Sequence, residues 1–193
     1  MSVRLRQFSA LEAVLWLVAL GGSLFLIGAC RTQQAAEYRP TATVKDIMDA
    51  IVDPSADVLW ESVATTITAA GTEQRAPQTD EEWANLRRRT VQLIEATNLL
   101  LIPGRHVARP GEKAEDPKIQ LGPEQIEALI NEDRQMWTTR AHGLHDAALV
   151  AQKAIEARNA EALLDAGDVL DKACENCHIT YWYPRNPAAS KLP

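Results

Sequence analysis

Near the C-terminal end the chain reads Cys174-Glu175-Asn176-Cys177-His178, a C-x-x-C-H pattern. No other stretch restricts the fold and chemistry so tightly, because this is the attachment signature of a c-type haem. Two thiols on one helical turn can each add to a haem vinyl group. The residue after the second thiol is then carried under the iron as the proximal imidazole ligand. The covalent bonds fix the plane of the ring, and the adjacent histidine has only one metal within reach. The same residues can also make a local disulfide, a thioredoxin-like redox pair or half of a zinc site. A redox pair normally follows a strand in a βαβ pattern, and no such pattern lies upstream. A structural zinc site wants a fourth ligand at matching spacing, and no cysteine remains to supply one.

The third cysteine of the chain, Cys30, ends an N-terminal apolar segment. Arg4 and Arg6 form a basic start, an apolar run follows to Ile27, and Gly28 and Ala29 are small residues directly before Cys30. This reads as a secretory signal, and the small residues before the cysteine resemble the lipobox of bacterial lipoproteins. That resemblance implies a signal peptide over residues 1–29, lipidation of Cys30 and a polar tether over residues 30–42. The alternative is an uncleaved transmembrane anchor, since the run is nearly long enough to span a bilayer. Both readings place the remainder outside the cytoplasm, in the periplasm and tied to a membrane, which is also where bacteria attach haem covalently.

Aromatic residues are 5% of the chain and glycines number 9, a composition that favours helix over sheet. The formal net charge of −6 argues against nucleic acid as a partner. Four amphipathic segments follow one another. The first carries Val44, Ile47, Met48, Ile51, then Val58, Leu59, Val63 and Ile67, with a kink or restart at Asp53-Pro54. Residues 71–77 read as a polar loop. The second segment opens on a capping box at Thr79 and Glu82 and carries Trp83, Leu86, Thr90, Leu93, Thr97 and Leu100. Residues 103–122 form a long loop containing His106. The third segment starts at Pro123 and runs to Arg158, with Ile130, Trp137, Leu144 and Ala151 along one stripe and Met136 expected in the core. The fourth carries Leu163, Ala166, Leu170, Ala173 and Cys177 on one face, and Pro184 ends it. Four such segments predict an all-α fold, an antiparallel four-helix bundle, over residues 43–184, followed by a tail over residues 185–193.

A four-helix chain with C-x-x-C-H near the end of its last helix resembles the cytochrome c′ family, the class II c-type cytochromes. The resemblance implies one haem c per chain, held by Cys174 and Cys177 near the C-terminal end of the bundle, with His178 as proximal iron ligand. In low-spin relatives an early methionine of the first helix is the distal ligand, and Met48 is the one at that place here. The expected function is a periplasmic, membrane-tethered electron carrier and not an enzyme, with an unknown protein as redox partner. Many relatives are five-coordinate, so binding of nitric oxide or carbon monoxide at an open iron face is the alternative. Relatives are often homodimers through their first two helices. The Asp53-Pro54 break and the long loop depart from the family pattern.

Several other residues invite a role. His142 and His145 have a spacing compatible with metal binding and read more simply as surface residues. His106 could reach an iron only if its loop folds over the site. Arg87, Arg88 and Arg89 read as a solvated face. Tyr181, Trp182 and Tyr183 are expected at the edge of the haem. No Ser-His-Asp order, phosphate-binding loop, H-E-x-x-H or dinucleotide-binding glycine pattern appears.

Overall fold

The structure, a computed structural model, describes residues 38–69 and 71–183. The signal segment, Cys30, the start of the tether, Pro184 and the tail lie outside the described residues. Among the described residues no helix is long and apolar enough to cross a membrane. The elements are α1 (Val44–Ile47), a π-helical segment (Met48–Val52), α2 (Asp53–Ser62), β1 (Ala64–Thr68), β2 (Gly71–Arg75), α3 (Asp80–Leu100), α4 (Pro123–Glu132), α5 (Arg134–Glu156) and α6 (Ala160–Tyr181). The fold is mostly helical with a two-stranded sheet. α2 packs on α3, α3 on α5, α5 on α6 and α6 back on α2, so the long helices close a ring around one core.

The first helix begins at a capping box. The Thr43 hydroxyl accepts from the Asp46 N–H at 3.0 Å, and the Asp46 carboxylate accepts from the Thr43 N–H at 3.0 Å. At the expected kink or restart the α-helical pattern gives way to the π segment and resumes in α2, whose first turn holds Pro54, while the helical path continues throughout. Pro54 offers no N–H, and in a regular α-helix its ring presses on the carbonyl four residues back. The backbone widens just before it instead: the Asp53 N–H donates to the Met48 carbonyl, five residues earlier. Such π turns are rare and occur often at functional sites.

The same helix stops at Ser62, short of the expected Ile67. Val63 turns into extended backbone (φ −131°, ψ 138°) and stays buried, and Ala64–Thr68 pairs antiparallel with Gly71–Arg75. Five of the seven residues of the expected loop over residues 71–77 are therefore a strand. Thr65, Thr66, Ile67 and Thr68 are all β-branched, which favours strand over helix once no core face holds them. The hairpin stands in solvent, with Ile67 83% exposed.

On α3 the capping box of Thr79 and Glu82 forms as read, and Trp83, Leu86, Thr90, Leu93, Thr97 and Leu100 are all buried. The hydroxyls of Thr90 and Thr97 donate to the carbonyls of Leu86 and Ile94, both at 2.7 Å, so their burial leaves no unpaired donor.

Residues 103–122 are a packed strap. The N–H groups of Val44 and Lys45, free at the start of a helix, donate to the carbonyls of His106 and Val107, both at 2.9 Å. The Leu121 N–H donates to the Trp182 carbonyl at 3.0 Å. Val107 is 2% exposed, and the Arg105 guanidinium donates to the carbonyls of Leu99 and Ala42. The strap thus ties the start of the first helix to the exit of the last.

The expected third helix is divided at Asp133 (φ −132°, ψ 77°), whose carboxylate caps α5 by accepting from the Met136 N–H at 2.8 Å. Ile130, Trp137, Leu144 and Ala151 are buried as expected, but Met136 is 38% exposed and is not a core residue. It sits in the first turn of α5 next to Trp137, which takes the inward position.

Candidate functional site

Helix α6 buries Leu163, Ala166 and Leu170, and the same stripe continues into Ala173, Cys174 and Cys177, which are half-buried. Residues three and four apart share a helix face, so Cys174, Cys177 and His178 point into one region. The helix is closed directly beyond them, where the N–H groups of Trp182 and Tyr183 both donate to the His178 carbonyl, at 2.7 and 2.9 Å. The His178 ring lies 6.0 Å from the Trp182 ring and 6.4 Å from the Tyr183 ring. Tyr181 turns inward and meets Trp137 edge to face at 5.2 Å, and the Trp137 indole N–H donates to the Leu100 carbonyl at 3.1 Å.

The three side chains line an inner cavity with about 410 Å³ of empty volume. Each layer of the ring supplies part of its wall: Met48 and Val52 from the π segment, Leu100 from α3, Trp137 and Leu144 from α5. A second, outer cleft of about 830 Å³ lies beside it, bounded by the strap, by Lys45 and by Trp182 and Tyr183. Met48, Asp53 and His178 line both spaces and therefore stand at their boundary, whereas the two cysteines line only the inner one.

Electrostatics separate the chemistries left open by the motif. Cys174 and Cys177 are free thiols. Burial, with the charges of Asp53 and Asp171, pushes the Cys174 thiol up to about 11. Burial pushes Cys177 up to about 12 against the opposing pull of the Arg140 guanidinium. A dithiol redox pair works through a thiolate whose pKa is lowered, and here both thiols stay protonated at neutral pH. Among the described residues no group of three or more His, Cys, Asp or Glu could hold a metal ion, so a zinc site lacks its donors. Burial holds His178 below the usual imidazole range, with Asp53 and Glu175 pulling the other way. Its ring is thus neutral near pH 7, the form that ligates a metal. The Asp53 carboxyl is itself raised, by partial burial first, with His178 opposing.

Two protonated thiols, a neutral imidazole and a thioether on one largely apolar cavity fit a covalently held haem. The Nε of Arg140, which lines the inner cavity, is buried without a partner, as is the Tyr181 hydroxyl. Trp182 and Tyr183 border the outer cleft, while Tyr181 belongs to the core behind Trp137.

The remaining candidates lie elsewhere. His106 points to solvent and its Nδ1 is 3.0 Å from the Glu127 carboxylate, so its loop does fold against the helix but the imidazole borders neither space at His178. His142 is exposed, and His145 lies 3.5 Å from the Asp146 carboxylate on its own helix. Arg88 pairs with Glu81 at 3.2 Å and Arg89 bonds Gln92, both on the outer face of α3. Among the wall residues that sequence reading missed are Asp53, Lys113 and Arg140. Only Arg140 carried a signal, as a cation three residues after Trp137 and four before Leu144 on a buried stripe. The chain matches no protein-family model, no curated protein and no solved structure.

Proposed function

We propose that this chain is a c-type cytochrome of the cytochrome c′ kind, a periplasmic electron carrier with one covalent haem and a lipid tether at Cys30. One observation carries the reading: the two thiols and the imidazole of the attachment motif share a cavity wall between helices, and Met48 lines the same cavity from the first helix. Cys174 and Cys177 would each add across a haem vinyl group, the sulfur bonding one carbon and the thiol proton going to its neighbour. When bound, the haem supplies a one-electron ferric–ferrous couple.

The chain's own residues do the rest. His178 offers a neutral ring nitrogen from a helix end closed at its own backbone carbonyl. Val52, Leu100, Trp137 and Leu144 would keep water from the haem, and a dry pocket with defined ligands is what sets a haem potential. Met48, at the boundary of both spaces, would offer its thioether sulfur as a second iron ligand. A second reading rests on the outer cleft, which reaches the boundary between Met48 and His178 and offers a diatomic gas a way in.

Spectroscopy of protein made with a c-type maturation system tests both. Pyridine haemochrome analysis is expected to give one haem per chain, and the ferric protein a low-spin spectrum with a weak far-red band that Met48→Ala abolishes. A high-spin spectrum unchanged by Met48→Ala would replace the carrier with the gas binder. Absence of covalent haem would remove both.

A further inference from the structure

A haem carries its two vinyl groups and its two propionate carboxylates on opposite edges of the ring. The cysteines line the inner cavity alone, whereas His178 and Met48 line the inner cavity and the outer cleft. A ring attached at Cys174 and Cys177 and held by His178 would have its carboxylates on the side of the outer cleft. We infer that Lys113 of the strap, together with Lys45 of the first helix, is the docking pair for those carboxylates, which makes the strap the wall that holds the polar edge of the cofactor. The inference rests on the haem reading and extends it to the far edge of the same site.

The charges of the cleft require such a pair. Lys45, Asp49 and Asp53 face it from the first helix, Lys113 and Glu115 from the strap, and His178 and Tyr183 from the end of α6. The start of α4 contributes Pro123 and Ile126, which do not ionise. Two carboxylates placed among Asp49, Asp53 and Glu115 would be repelled, and Lys45 and Lys113 are the cations that line the space. Lys113 is exposed and makes no ion pair among the described residues. Lys45 is 2.8 Å from Asp49 and 3.5 Å from Glu115, and the longer contact is the one an incoming carboxylate can replace. The strap itself is anchored by backbone bonds at Val44, Lys45 and Leu121, so Lys113 arrives on a fixed segment. Its long stem and compact charge suit a carboxylate at a cleft mouth.

Resonance Raman spectra of the haem-loaded full chain read this directly, because the propionate bending band responds to hydrogen bonding at the carboxylates. The band, compared at equal haem concentration, is expected to shift in Lys113→Gln and to return toward its original place in Lys113→Arg. An unchanged band in Lys113→Gln and in Lys45→Gln would overturn the docking pair and leave the haem reading intact. A shift in Lys45→Gln alone would overturn the role of the strap. Wild-type protein without covalent haem would instead overturn the haem reading, and this inference with it.

Discussion

Cys174 and Cys177 couple the site to the stability of the chain before any haem is attached. In an unfolded chain both thiols titrate near 9.0, while in the fold they are pushed up to about 11 and about 12. Below pH 9 both states keep their protons and stability is complete. Above it the unfolded state releases protons that the folded state retains, so stability falls as pH rises, until the folded thiols titrate in turn. At about 1.4 kcal/mol per pKa unit and group, the haem-free protein should lose on the order of 2–4 kcal/mol between pH 9 and 11. Tyr181, raised from 10.0 to about 12, adds a loss of the same sign above pH 10. Thioether sulfurs carry no proton, so urea unfolding of haem-loaded protein should show no such fall between pH 9 and 10. A flat profile for haem-free protein over that interval would contradict the burial of the thiols. The motif was legible in the sequence because its chemistry is contained in five adjacent positions. Asp53 was not, because the sequence reads it as a helix cap, and its place in the wall depends on the turn of backbone beside it.

Among the elements, the first helix departs most from its reading. Its apolar spacing was visible, but Asp53-Pro54 reads as an interruption only while a strict α-helical bond pattern is assumed. A π turn removes the conflict within one helix, and sequence spacing alone does not distinguish the two outcomes. The hairpin was missed for a related reason, since Val63 and Ile67 continue the helical spacing although their neighbours are β-branched. Likewise Asp133 is a helix cap that the strong stripe from Ile130 to Trp137 concealed. The capping boxes, in contrast, are local and were read directly. At the head of the helix that carries Met48, Thr43→Ala should remove one cap and lower stability by about 1 kcal/mol. The midpoint of urea unfolding measures it, and an unchanged midpoint would mean that the strap alone holds the helix start.

For the whole molecule the order of segments in the chain, helix after helix with one long connection, was enough to anticipate a mostly helical fold. What it did not convey was that the connection is a wall of the site, because the bonds that place it join residues far apart in sequence, as Arg109 and Asp46 do across 63 positions at 2.6 Å. The tether is a separate matter of covalent chemistry. Cys30→Ser should abolish palmitate incorporation and leave haem content unchanged, since the haem thiols are untouched. Wild-type protein that takes up no palmitate and keeps its N-terminus would favour the transmembrane anchor.

The clasp between strap, first helix and last helix has a consequence for how this chain can vary. It is made of main-chain donors and acceptors at Val44, Lys45, His106, Val107, Leu121 and Trp182. Such bonds ask nothing of side-chain identity except that the donor positions not become proline, which has no N–H. At those anchors the path of the strap tolerates most substitutions, with the side chains of Arg105 and Arg109 as its further ties, while the residues it presents to the cleft remain free to change. Mutation can retune what borders the site without moving the frame that holds it.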